Sequence, residues 1–190
     1  MMLYLRSRSV PTSLTVMLSC AVGLWVLGNA VDDPFTRIQL AMLVTLLTTA
    51  AISPGLAGAD IDIDRIAGFA WPPRRAAHLL IAGALAFGML SATTLADDPI
   101  TTIARIARDV TGFIGLTGLG AAFLSARLAP LLSFLWAVPV LAGLPLPIRS
   151  TYLMVLTWML QPTQSTQATI TAMAVGVTGV LAYAIRGPRS

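Results

Sequence analysis

Charge is sparse along this chain and falls in short groups, and long apolar stretches lie between the groups. Neither the alternation of a half-buried strand nor the narrow stripe of a soluble amphipathic helix dominates. The uncharged runs are Ser9 to Val31, Ile38 to Ala59, Ala76 to Ala96, Val110 to Ala126 and Leu128 to Ile148, followed by a stretch from Ser150 to Ile185. A helix needs about 20 apolar residues to cross the hydrocarbon of a bilayer, so each of the first five runs reads as one crossing. The last stretch is too long for one crossing and too short for two with a loop. Its polar patch QPTQSTQ, Gln161 to Gln167, divides it unevenly. The roughly ten residues before the patch would span only about 15 Å as a helix, which makes them re-entrant or interfacial. The pattern therefore predicts an all-α polytopic membrane protein with one transmembrane domain over residues 1–190. Its six crossings fall at about 9–31, 38–59, 76–96, 110–126, 128–148 and 168–185, with a short re-entrant helix at 151–160 before the last.

Composition agrees with that pattern. The chain is 56% hydrophobic and 11% charged, with a mean hydropathy of +0.82, whereas soluble domains carry about 25% charged residues. All twelve basic residues are Arg and all eight acidic ones are Asp, for a net charge of +4. The Arg residues stand singly or in pairs at run ends, which suits topology control and headgroup contact and excludes a nucleic-acid stripe. Placing the N-terminus in the cytoplasm puts Arg6, Arg8, Arg65, Arg74, Arg75, Arg127, Arg186 and Arg189 inside and Arg37, Arg105, Arg108 and Arg149 outside. That bias favours cytoplasmic N- and C-termini in a plasma membrane. Arg105 and Arg108 are then expected on an amphipathic helix along the outer interface, where Ile100, Ile103, Ile106 and Val110 recur at helical spacing. VDDPFT and ADDPIT, at Val31 and Ala96, both read as helix starts, with Asp33 and Asp98 as N-caps and Pro34 and Pro99 in the first helical position. A signal peptide would also open on Arg and an apolar core, but the first run is long for one. Cys20 is the lone cysteine, so neither a disulfide nor a thiolate metal site can be built within the chain, and MLSC fits a lipobox poorly.

Enzyme motifs are missing: there is no phosphate-binding Walker loop, no GxSxG and no HExxH. His78 is the only His. The crossings as drawn contain no Asp or Arg, so no intramembrane ion relay is expected. Gly112, Gly115, Gly118 and Ala122, with Gly120, Gly176 and Gly179 nearby, supply small faces for helix packing or a dimer contact. Trp25, Trp71, Trp136 and Trp158 read as interfacial anchors. The densest charge lies in GADIDIDRIAGFAWPPRRAAHLL, Gly58 to Leu80. Here Asp60, Asp62 and Asp64 would load the first turn of a short helix, Ile63, Ile66 and Phe69 would form its apolar side, and Pro72 and Pro73 would end it. This cytoplasmic segment is either a solvated loop or a docking knob.

Taken together, a basic entry segment (MMLYLRSRSVP), six crossings, the charged segment after the second crossing and the short piece TYLMVLTWMLQPTQST before the sixth resemble the membrane subunit of an ABC exporter of the second exporter type. The resemblance is one of layout and covers nearly the whole chain. It implies that Asp60, Asp62, Asp64, Arg65, Ile66, Phe69, Trp71, Arg74 and Arg75 form a coupling segment (60–75) that docks a cytoplasmic ATPase. That partner would hold ATP and Mg, with no cofactor or metal in this chain. It also implies a second permease chain, as a homodimer or with a related subunit, and alternating access that moves an amphipathic or lipid-like compound out of the cell. Two other readings compete. The substrate-binding membrane subunit of an energy-coupling-factor vitamin importer would need convergent polar groups in an outward pocket. An intramembrane enzyme would have only His78, Asp60, Asp62 and Asp64 to work with.

Overall fold

The computed structural model describes residues 10–56, 71–95, 99–141 and 151–188. Among these there are helices and turns and no strand. The helices are α1 (Val10–Asn29), α2 (Pro34–Ala50), the short α3 (Ser53–Leu56), α4 (Trp71–Ala92), α5 (Ile103–Phe123), α6 (Ala129–Leu141), α7 (Thr151–Leu156) and α8 (Thr166–Arg186). Three-residue 3-10 turns follow α4 (Thr93–Leu95) and α7 (Trp158–Leu160). Among the described residues four segments, 11–29, 34–56, 72–95 and 166–186, are long and apolar enough to cross a membrane, and the protein is compatible with membrane embedding. A belt of large apolar side chains faces outward on them, among them Val22 and Trp25 on α1, Ile81 and Leu85 on α4, and Ile170, Met173 and Leu181 on α8. In water such a surface would aggregate; in lipid it is solvated.

Local chemistry sets the helix ends. Asp33 caps α2: its Oδ2 accepts from the Thr36 N–H at 2.7 Å and the Thr36 hydroxyl at 2.6 Å, and Pro34 opens the helix. The second expected start differs. Pro99 is not helical, and α5 begins at Ile103 with Thr102 as its cap, accepting from the Arg105 N–H at 3.3 Å; Asp98 lies outside the described residues. α2 stops at Ala50 because Pro54 removes an N–H and its ring opposes the carbonyl four residues back. The hydroxyls of Thr45, Thr48 and Thr49 also turn back onto carbonyls of the same helix. α4 begins at Trp71, so Pro72 and Pro73 open this helix, where proline is tolerated, and Arg74 and Arg75 sit in its first turn. The expected helix before them, with Asp60, Asp62, Asp64, Arg65, Ile66 and Phe69, lies outside the described residues, as do the entry residues 1–9 and the Trp71 side chain.

Asp33 gives a pH test. Its carboxyl is held below its ordinary value of 3.8, first by the Thr36 hydroxyl and then by the Thr36 N–H. A carboxyl lowered on folding contributes fully above its unfolded value, and the contribution is lost as pH falls through the folded one. The thermal midpoint should therefore drop as pH goes below 3.8, and Asp33→Asn, which still caps, should flatten that part of the profile. An equal drop in both proteins would remove Asp33 as its source.

The bundle is organised around α5, fifteen of whose 21 residues are buried. α6 returns antiparallel beside it, with Ala129 against Gly120 and the Thr117 and Ser133 hydroxyls 3.4 Å apart. α8 runs parallel to α5: Gly176 lies against Thr111 and Gly115, and Gly179 against Gly115 and Gly118. A Cβ at Gly118 would meet the Gly179 carbonyl oxygen at 2.8 Å, and one at Gly115 the Gly176 Cα at 2.6 Å. The two backbones touch, the approach that small residues permit between helices in lipid. Gly115 and Gly118 thus pack within the chain, Gly112 packs against Trp158, and Ala122 is buried.

These contacts define two ends. At one, the Tyr183 hydroxyl of α8 donates to the Leu56 carbonyl at 3.1 Å, Arg75 of α4 lies against Gly187, and Arg186 stacks 4.6 Å over the Phe123 ring of α5. Gly187, at φ 73°, closes α8 by donating its N–H to the Tyr183 carbonyl at 2.9 Å. At the other end lie Asp33, the close of α1, where Gly28 meets Ile100, and the start of α5. Two of the expected runs can be compared with the helices that carry them. α5 begins seven residues before the expected limit, at Ile103 rather than Val110, and α6 covers Ala129–Leu141, with the rest of the expected fifth run, to Ile148, outside the described residues.

Candidate functional site

The added turns of α5 carry Arg105, Arg108 and Asp109, and the helical period puts all three on the face that continues to Gly112. Each is buried, at 8%, 6% and 2% exposure. The two Arg were expected in the headgroups, on an amphipathic helix along the outer interface; in the structure they are buried within the bundle. The reason is a set of partners far along the chain. Residues 151–160 form two short pieces, α7 and the 3-10 turn, that break at Thr157 rather than one continuous helix. The end of this turn faces the start of α5 and presents the Met159, Gln161 and Pro162 carbonyls to it, the last also accepting from the Ser165 N–H at 3.0 Å.

Two guanidiniums take up those carbonyls. Arg105 donates from Nη1 to the Met159 carbonyl at 3.5 Å and from Nη2 to the Gln161 carbonyl at 3.2 Å. Arg108 donates from Nη2 to Gln161 at 3.0 Å and Met159 at 3.3 Å, and from Nη1 to Pro162 at 3.1 Å. Its Nε donates to Asp109 Oδ1 at 3.2 Å. The planar fork of Arg suits this task, since several N–H groups leave one rigid plane, and a Lys ammonium in either place would reach fewer acceptors. Asp109 partly neutralises the pair and fixes the plane of Arg108, because an unpaired buried charge would be costly.

The same segment is seated from below. Trp158, fully buried, lies with its ring 5.7 Å from that of Phe113, and its Cζ2 edge fits where Gly112 has no side chain. Met42 and Leu46 of α2, Ala137 and Val140 of α6, and Ala168 and Ala172 of α8 complete this cluster. Trp158 is thus a core residue and not the interfacial anchor its position in the sequence suggested, whereas Trp25 is half exposed. The Trp136 indole of α6 donates to the Leu156 carbonyl at 3.0 Å and ties α7 to the bundle. The Trp158 Nε1–H has no acceptor among the described residues.

A second feature is an apolar groove of about 560 Å³ between α4, α5 and α8, with walls that include Leu80, Phe87, Ile114, Val177 and Val180. Its one polar wall residue is Thr111, whose hydroxyl donates to the Ala107 carbonyl at 2.7 Å. His78 is half-buried on the second turn of α4, near the opposite end of the bundle from the Arg105–Arg108 pair. Among the described residues no group of three His, Cys, Asp or Glu comes together to hold a metal. No family model matches the chain, and neither a curated protein nor a solved structure is similar to it.

Proposed function

We propose that this chain is the membrane-spanning subunit of an ATP-driven exporter of the second ABC exporter type. It would work with a separate cytoplasmic ATPase and a second permease chain to move an amphipathic or lipid-like compound outward across the plasma membrane. The observation that carries the reading is the fold-back of residues 151–162 between α6 and α8. The ten residues before the polar patch form two short pieces, α7 and the 3-10 turn, and the end of the turn is clamped to the start of α5. The family's layout asks for a short re-entrant piece at this point in the chain and on the side away from the coupling segment. Leu56 and Arg75, which flank residues 57–70, both lie at the end marked by Arg186 and Gly187, away from this piece, and that arrangement supports the reading. Reading α5 and α6 as crossings as well gives six, with the Arg186 end cytoplasmic and the Asp33 end outside. The groove between α4, α5 and α8 supports an apolar cargo or cargo tail. It gives little to a vitamin pocket, since its one polar wall residue has already spent its hydroxyl within α5.

Purification from the native membrane in mild detergent tests the reading. The tagged chain should bring down an ATPase and no third membrane protein. Ile66→Ser combined with Phe69→Ser should lose the ATPase while the chain still inserts, because each large apolar side chain in such a contact contributes about 1.5–3 kcal/mol. Recovery of a scaffold membrane protein beside the ATPase would favour the importer, and no ATPase at all would remove the exporter reading.

A further inference from the structure

We propose that residues 159–162 are a movable flap over the Asp33 end of α5, with Arg105 and Arg108 as its catch and Trp158 as its pivot. As the outer gate of a transporter the flap rests on the reading above; as a moving part it stands on geometry alone. Among the described residues, every side-chain hydrogen bond of the two guanidiniums, apart from the one to Asp109, goes to this one turn. Lifting the turn therefore frees the whole set in one step. Both Arg lie in the first two turns of α5, and the stretch they hold leads into the exposed Pro162 and Gln164, so on release the guanidiniums and the three carbonyls open toward the surface. An exchange of protein partners for water changes the free energy of such bonds little compared with their gross strength. The turn is thus held by bonds that the open state can replace, next to a ring that stays packed in the core.

The chain has the parts such a motion needs. Thr157 breaks the helical run just before the pivot. Residues 161–165 lead into α8 without helical structure, and Pro162 and Gln164 among them are exposed. Asp109 keeps Arg108 aimed at the turn through Nε while the rest of the guanidinium holds the carbonyls. Arg in both positions gives a catch that closes on several acceptors or none.

Cysteine accessibility in lipid nanodiscs, where both faces are open to reagent, tests the flap without reference to transport. In a Cys20→Ser background, Met159→Cys reports the flap, since Met159 is fully buried. Ala86→Cys, equally buried on α4, reports the rest of the bundle, and Tyr152→Cys, 83% exposed, calibrates the reagent. Adding Arg105→Gln with Arg108→Gln should make Met159→Cys react with a maleimide at least about tenfold faster, with Ala86→Cys still protected. Arg108→Lys alone should fall between the two. If Met159→Cys stays protected in the double variant, the guanidiniums are not the catch. If Ala86→Cys becomes reactive too, the cluster holds the whole bundle and there is no flap. A responsive flap in a chain that recruits no ATPase would leave this inference standing and remove the exporter reading alone.

Discussion

Gly179→Ala is expected to lower the thermal midpoint of the purified protein steeply, while Gly88→Ala, the same change on another long helix, is expected to raise it. At Gly88 a Cβ meets nothing within 4 Å, so the substitution acts through helix propensity and contributes about 0.5–1 kcal/mol. At Gly179 the new methyl would be driven into the Gly115 carbonyl. Its neighbour there is backbone, which has no rotamer to change, so the helices must separate. Overpacking typically costs about 1–3 kcal/mol where side chains can yield. Here it should reach about 3 kcal/mol or more, a large part of a typical stability of about 5–15 kcal/mol. Gly118→Ala should be milder, since the Gly179 oxygen stands at 2.8 Å and the other close neighbour is the Leu79 side chain at 3.1 Å. Heating in detergent followed by size-exclusion chromatography gives both midpoints and the oligomeric state. If these glycines instead served a subunit contact, the particle mass would change and the midpoint of the single chain would not. A Gly179→Ala protein as stable as the parent would mean that α5 and α8 do not meet this way.

Much of this fold was legible in the apolar runs. α8 starts and stops close to its expected limits, and α1 and α4 stop close to theirs, because run length and flanking charge set where such a helix ends. The Asp33–Pro34 start was legible because a cap is local chemistry, decided within four residues. The start of α5 was not, and the reason is specific. Hydropathy treats every Arg as a group that seeks water, and Arg105 and Arg108 were placed outside on that ground. Their partners are carbonyls 51 to 56 residues further on, which no local pattern contains. One signal was present: Arg105, Arg108, Asp109 and Gly112 share the helical face that the glycine run continues, so the same stripe that packs inward carries the charges. Trp158 misled for the same reason, because an aromatic residue near a polar patch resembles an anchor until its neighbours in space are known.

Trp158 carries the second large effect. Trp158→Ala should cost about 3–5 kcal/mol, the usual range for emptying a buried aromatic site, as the ring sits in a buried cluster that draws on α2, α5, α6 and α8. Trp158→Phe should cost far less than its lost area suggests. The indole Nε1–H is buried without an acceptor, and an unmet buried donor costs about 1–3 kcal/mol, which Phe would return. The net change should lie within about 1 kcal/mol of zero. Gly112 provides the control. A Cβ there would stand 2.5 Å from Trp158 Cζ2, so Gly112→Ala should destabilise the parent but be tolerated beside Trp158→Phe, whose ring lacks that edge. A double-mutant cycle on thermal midpoints measures this coupling, expected at about 0.5–3 kcal/mol for residues in contact. Additive costs would show that the indole is not seated on Gly112, and would take away the pivot about which the flap is proposed to move.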